Sequence, residues 1–145
     1  MRHILLVEED RERVAMARDA LSRERVLNTV HNVPDGASAL AFLRREGVYA
    51  EAPRPHVILC NGLEPGHPEN SLIAEIKQDH KLRTIPLAVL TASETDQDVW
   101  AAYQQHANCY VVKPKESAAY QEAVTAVSRF WLSVAVLPPD DAGAR

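Results

Sequence analysis

The chain has 145 residues, 46% of them hydrophobic and 25% charged, and a formal net charge of -4. That length and apolar fraction suit one domain able to bury its own core and leave no room for a second. The negative balance withholds the attraction to phosphate that underlies most nucleic-acid binding, and no apolar run approaches membrane-spanning length, so neither nucleic acid nor a membrane is an expected partner.

In chain order, short apolar runs alternate with stretches of 3.6-residue periodicity, the pattern of β-α units around a parallel sheet. The opening "HILLV" is too short and wrongly flanked for a signal peptide, which makes the cytoplasm the expected location. Strands are predicted over Ile4–Val7, Val26–His31, Val57–Cys60, Leu87–Thr91 and Cys109–Val112. Helices are predicted near Glu12–Arg23, Ala37–Glu46, Ser71–Gln78 and Glu94–His106, with a last one from Glu116. In "PDGASALAFLRREG", Asp35 precedes an apolar face as a cap would, and Gly47 can take the left-handed position that ends a helix. Ser93 is the predicted cap of the next-to-last helix, with Asp96 favoured by its N-terminal dipole. The prolines of "VYAEAPRPH" make that segment a connection. Residues 1–137 read as the folded domain and 138–145, "PPDDAGAR", as a disordered tail. Cys60 and Cys109 flank apolar runs and read as buried thiols, not as a disulfide framework. The six histidines lack metal-site spacing and read as surface or strand-edge residues.

Chemistry in an open parallel sheet gathers outside the carboxyl ends of the strands. The polar residues there are Glu8-Glu9-Asp10, Asn61-Gly62, Thr91-Ala92-Ser93 and Lys113-Pro114. Acids, a hydroxyl and a lysine brought together would suit a hard cation and a phosphoryl group. The plainer account of Glu8, Glu9 and Asp10 is a set of acids welcomed at a helix N-terminus.

"ILLVEED", "HVILCNGLEP", "AVLTAS" and "YVVKP" resemble, in order, the four signature segments of the response-regulator receiver domain, over about residues 2 to 130. The longer strings "PDGASALAFLRREG...PRP", "NCY" and "FWLSVAVLP" resemble single-domain regulators associated with phytochromes. The resemblance implies a flavodoxin-like α/β fold with five parallel strands in the order 2-1-3-4-5. It implies signalling by contact with a histidine kinase, including a bacteriophytochrome, and no enzymatic role. By position, Glu8 and Glu9 fall at the acid pair, Asn61 at the phosphoacceptor, Thr91 at the hydroxyl, Lys113 at the lysine and Tyr110 at the switch aromatic.

An amide at position 61 makes the resemblance a receiver without its acceptor. Asn61 brings no charge to attack a phosphohistidine, and Glu9 is one methylene longer than the aspartate usual there, so magnesium is expected to bind weakly or not at all. Leu63 and "GHPEN" also depart from the family pattern. Glu8, Glu9, Asn61 and Lys113 sum to -1, so Lys113 can pair with a glutamate without a metal. Three alternatives stay open: a surrogate acid among Glu8, Glu9 and Glu64; deamidation of the Asn61-Gly62 step to aspartate; or deliberate replacement of the acceptor. An unrelated flavodoxin-like enzyme is disfavoured, since no glycine-rich phosphate loop follows the first strand.

The last helix repeats apolar residues at Tyr120, Ala123, Val124, Val127, Phe130, Trp131 and Val134, and then "FWLSVAVL" turns apolar on nearly every side. Either Trp131 and Leu137 fold over the core edge, or the extension is a dimer patch. The resemblance favours a homodimer through the fourth and fifth helices and the last strand, engaging Trp100, Tyr103, Phe130, Trp131, Val134 and Leu137.

Overall fold

The structure, a computed structural model, describes residues 1–61 and 71–139. Gly62, Leu63, Glu64, the "GHPEN" segment with His67, and the tail from Asp140 onward lie outside the described residues. Five parallel strands, β1 (Arg2–Val7), β2 (Asn28–Val33), β3 (Val57–Asn61), β4 (Leu87–Thr91) and β5 (Cys109–Val112), form one sheet in the order β2-β1-β3-β4-β5. The helices between and after them are α1 (Arg11–Ser22), α2 (Gly36–Leu43), α3 (Leu72–Gln78), α4 (Asp96–Gln104) and α5 (Ser117–Arg129). The predicted fold and strand order are those observed.

Side chains of a strand alternate between faces, so each strand feeds two cores. Ile4 and Leu6 of β1 join Ala17 and Leu21 of α1 and Tyr120 and Val124 of α5. Leu5 and Val7 join Phe42 of α2, Ile73 and Ile76 of α3 and Ala102 of α4 on the other face. Strands β3 and β4, covered on both sides, are buried at every residue, which explains their unbroken apolar runs.

Three of the differences from the sequence expectation have a visible local cause. Strand β2 starts two residues late because the Asn28 side chain donates to the carbonyls of Leu21 and Val26, drawing Val26 into the turn and leaving Leu27 exposed. Helix α2 is capped by Asp35, which accepts from the Ser38 N–H at 2.8 Å, but stops at Leu43. Gly47 does take a left-handed φ of 57°, yet Arg45 has already left the helix with a φ of 55°. For α4 the cap is Thr95, which accepts from the Asp98 N–H, and the expected cap Ser93 donates instead to the Asp98 carboxylate.

Beyond α5, Phe130–Val134 form one π turn, closed by the Ala135 N–H donating to the Phe130 carbonyl at 2.8 Å. This turn divides the extension. Leu132 is buried, and Trp131 and Leu137 are partly buried against the α1/α5 core. Phe130, Val134 and Val136 stay exposed. Replacing Leu132 by alanine should therefore cost about 2 to 4 kcal/mol in urea unfolding, whereas Val136→Ala should change stability by less than about 0.5 kcal/mol.

Candidate functional site

Residues Val7 and Cys60 are partners across β1 and β3, so the next position on each strand brings Glu8 and Asn61 side by side at the carboxyl edge. Thr91 ends β4 and pairs with Val112, and the Lys113 N–H donates to the Thr91 carbonyl at 2.6 Å. Glu8, Asn61, Thr91 and Lys113 are all buried, at 4%, 3%, 0% and 8% exposure. Burying such groups is costly unless they find partners.

Their partners separate the acids. The Glu8 carboxylate accepts from the Asp10 N–H at 3.1 Å and lies 3.9 Å from the Arg13 guanidinium. Glu9 is exposed. Asp10 caps α1, accepting from the N–H groups of Glu12 and Arg13, so the helix-terminus account of the acid run fits Asp10 and not Glu8. On the other face, the Tyr110 hydroxyl donates to the Ser93 carbonyl at 2.7 Å, while the Ser93 N–H donates to the Thr91 hydroxyl oxygen at 3.3 Å. Both contacts hold the loop between β4 and α4.

Asn61 follows Leu59 on the face covered by α1 and α5, and there its amide donates to the hydroxyl of Tyr120 at 2.7 Å. Burial pushes the Tyr120 phenol up to about 12; the Asn61 hydrogen bond pulls the other way and the Glu8 charge adds to the rise. One oxygen of Glu8 and the amide oxygen of Asn61 are buried without a hydrogen bond. Two hard oxygens left over in this way fit the donor chemistry of magnesium, although only one of them carries charge.

Sequence reasoning took Tyr120 for an apolar stripe residue. The available signal was its hydroxyl, which must find a partner when the ring is buried. It also scattered the histidines, but His3, His31 and His56 meet across β1, β2 and the start of β3. Nδ1 of His3 lies 3.0 Å from Nε2 of His31, and the His3 backbone N–H donates to Nδ1 of His56 at 2.9 Å. Burial, then the charges of His3 and Arg18, lower the His31 pKa. Two-residue side-chain alternation across paired strands would have predicted the shared face. Among the described residues, no group of three or more His, Cys, Asp or Glu side chains is arranged to hold a metal ion.

Removing the Tyr120 hydroxyl should leave the buried Asn61 amide unsatisfied, so Tyr120→Phe is expected to cost about 1 to 3 kcal/mol in urea unfolding. Because the folded-state pKa of Tyr120 is raised above 10.0 to about 12, its contribution is complete below pH 10 and lost as pH climbs through 12. Wild-type stability should fall across that window more steeply than that of Tyr120→Phe, measured by denaturant midpoints at each pH.

Residues 4–125 match the family model described as the response regulator receiver domain. The response regulator Rcp1 of Synechocystis sp. is 35% identical over 135 residues, covering 93% of this chain and 92% of that protein. The crystal structure of the Mn(2+)-bound form of Rcp1 superposes with a TM-score of 0.88 at 34% identity, covering 96% of this chain and 100% of the other. The phosphorylated cyanobacterial phytochrome response regulator RcpA gives 0.88 at 37% identity, covering 95% and 99%. With the sheet order, the residues gathered at its carboxyl edge and these similarities in agreement, the chain belongs to the response regulator receiver domain family.

Proposed function

We propose that this receiver-family protein is a degenerate single-domain response regulator, which signals by binding a histidine kinase of the phytochrome type without being phosphorylated at Asn61. The observation that carries this reading is the Asn61 side chain itself. It is a buried amide at the carboxyl edge of the central strand, turned to the Tyr120 hydroxyl of α5. An amide whose nitrogen lone pair is delocalised cannot act as the attacking oxygen that a carboxylate would be.

A divalent cation, when bound, would offset acid charge at this edge and draw phosphoryl oxygens toward it. Glu8 and the amide oxygen of Asn61 would hold magnesium, with Glu9 beside them, and the missing carboxylate makes that binding weak. The kinase partner is suggested by relatives whose names are those of phytochrome and bacteriophytochrome response regulators. A cytoplasmic location accords with such a partner, and no helix among the described residues is long and apolar enough to cross a membrane.

The same reading includes a constitutive homodimer through α4, β5, α5 and the extension. Trp100, Tyr103, Val112, Phe130 and Val134 are exposed there at 67%, 48%, 42%, 48% and 69%, beside the open edge of β5. An apolar depression of about 530 Å³ between Cys109, Val127, Phe130 and Trp131 adjoins them. With Thr91 and Tyr110 both engaged on the β4–α4 loop, one arrangement of the switch residues supports a surface that does not wait for phosphorylation.

Incubation with acetyl phosphate and magnesium, read by intact mass, should leave the fresh chain unmodified and add one phosphoryl group to Asn61→Asp. An adduct on undeamidated protein would instead identify a surrogate acid. Sedimentation at micromolar concentration should show a dimer with or without beryllofluoride. Phe130→Asp combined with Val134→Asp should give a folded monomer, since neither side chain supports the core. A monomeric wild type would end the dimer reading.

A further inference from the structure

The Asn61 side chain has two unlike arms, and the fold sets a different neighbour at each. Leu6 and Leu59 lie on the face of the sheet covered by α1 and α5, so Glu8 and Asn61, two residues further on, return to that face beside one another. Both are all but fully buried. The nitrogen arm of the amide donates to the Tyr120 hydroxyl at 2.7 Å. The oxygen arm has no hydrogen bond, and neither has Oε1 of Glu8. The other Glu8 oxygen accepts from the Asp10 N–H at 3.1 Å, and the Arg13 guanidinium stands 3.9 Å from Oε1, beyond hydrogen-bond distance. Tyr120 belongs to the same cluster, since the Glu8 charge acts on its phenol as well.

Two buried acceptors without a donor are unfavourable, and an amide offers two ways to relieve them. In the orientation of the structure, a small divalent cation takes both oxygens, because magnesium prefers hard oxygen donors. Half a turn about the Cβ–Cγ bond exchanges the arms instead. The N–H then faces Glu8 and donates to Oε1, while the amide oxygen faces Tyr120. The phenol serves in either case, because a hydroxyl both accepts and donates. A carboxylate at position 61 has two acceptor arms, so the same half turn would change nothing.

We propose that Asn61 is a cation-responsive switch. Its N–H meets Tyr120 when a divalent cation joins the amide oxygen to Glu8, and the amide turns over when no cation is bound. The inference rests on the reading of Glu8 and Asn61 as a weak cation site, and it gives the amide a use beyond the loss of an acceptor. A cation that binds only one of the two orientations shifts the population toward it. Tyr120 is the positioning residue, accepting from Asn61 in one state and donating to it in the other. It stands in the first turn of α5, so each state of the strand tip is registered at that helix.

The test uses the full-length chain labelled with 13C and 15N, magnesium chloride as the probe, and sodium chloride at matched ionic strength as the control. The Asn61 Hδ2 resonances are identified by their loss in Asn61→Asp and followed by NOE. In EDTA these protons should contact Glu8 Hγ, and saturating magnesium should replace those contacts with ones to the Tyr120 ring. Glu8→Gln brings its own donor to the Asn61 oxygen, so it should show the Tyr120 contacts without magnesium and no change with it. Should that variant fail to fold, the exchange of contacts in the wild type decides alone. A saturable magnesium response with an unchanged NOE pattern would overturn the switch and leave the weak cation site standing. No saturable response would overturn both, while the acetyl phosphate experiment judges the degenerate reading separately. A wild type that turns over equally with sodium chloride, or a folded Glu8→Gln chain that still turns over with magnesium, would also overturn the proposal.

Discussion

Parallel pairing of all five strands is the constraint from which the rest follows. It points every carboxyl end the same way, so residues 8, 61, 91 and 113, distant in sequence, are delivered to one edge. The helices needed to reverse the chain cover both faces. A buried polar edge is then unavoidable wherever polar residues follow the apolar runs, and each such residue must be matched by a neighbour or left with an unsatisfied atom.

The matching runs across the sheet in two directions. On the α1/α5 face, Asn61 is tied to Tyr120, which couples the tip of the central strand to the first turn of the last helix. On the opposite face, Tyr110 and Thr91 are tied to the same loop residue, Ser93. Side-chain alternation decides which neighbour each polar group can meet. A strand shifted by one residue would exchange the two sets of contacts.

The fold was legible because its signals are periodic. Strands β4 and β5 were bounded correctly from their apolar runs, and the cap at Asp35 and the left-handed backbone of Gly47 followed from chemistry that acts locally, although α2 ends at Leu43 before Gly47 is reached. What was missed is non-local. Thr95 outcompeted Ser93 because the loop before α4 is arranged by Thr91 and Tyr110, and β2 slid because the Asn28 side chain reaches back to Leu21. Tyr120 was hidden by its ring, which obeys the apolar pattern while its hydroxyl obeys a partner 59 residues away. The acids at 8 to 10 were placed at the right edge but not sorted, since only packing decides that Glu8 turns inward and Glu9 outward.

The π turn at Phe130–Val134 gives the extension a property that its composition does not. A π turn accommodates one residue more than an α turn, so it offsets the rotational phase of everything after it by about 100°. That offset lets Leu132 face the α1/α5 core while Val134 and Val136 point to solvent. The outer surface of this protein is thus tuned by a phase shift in the backbone. Loss of a single residue there would redirect the whole terminal segment without altering one side chain of the sheet.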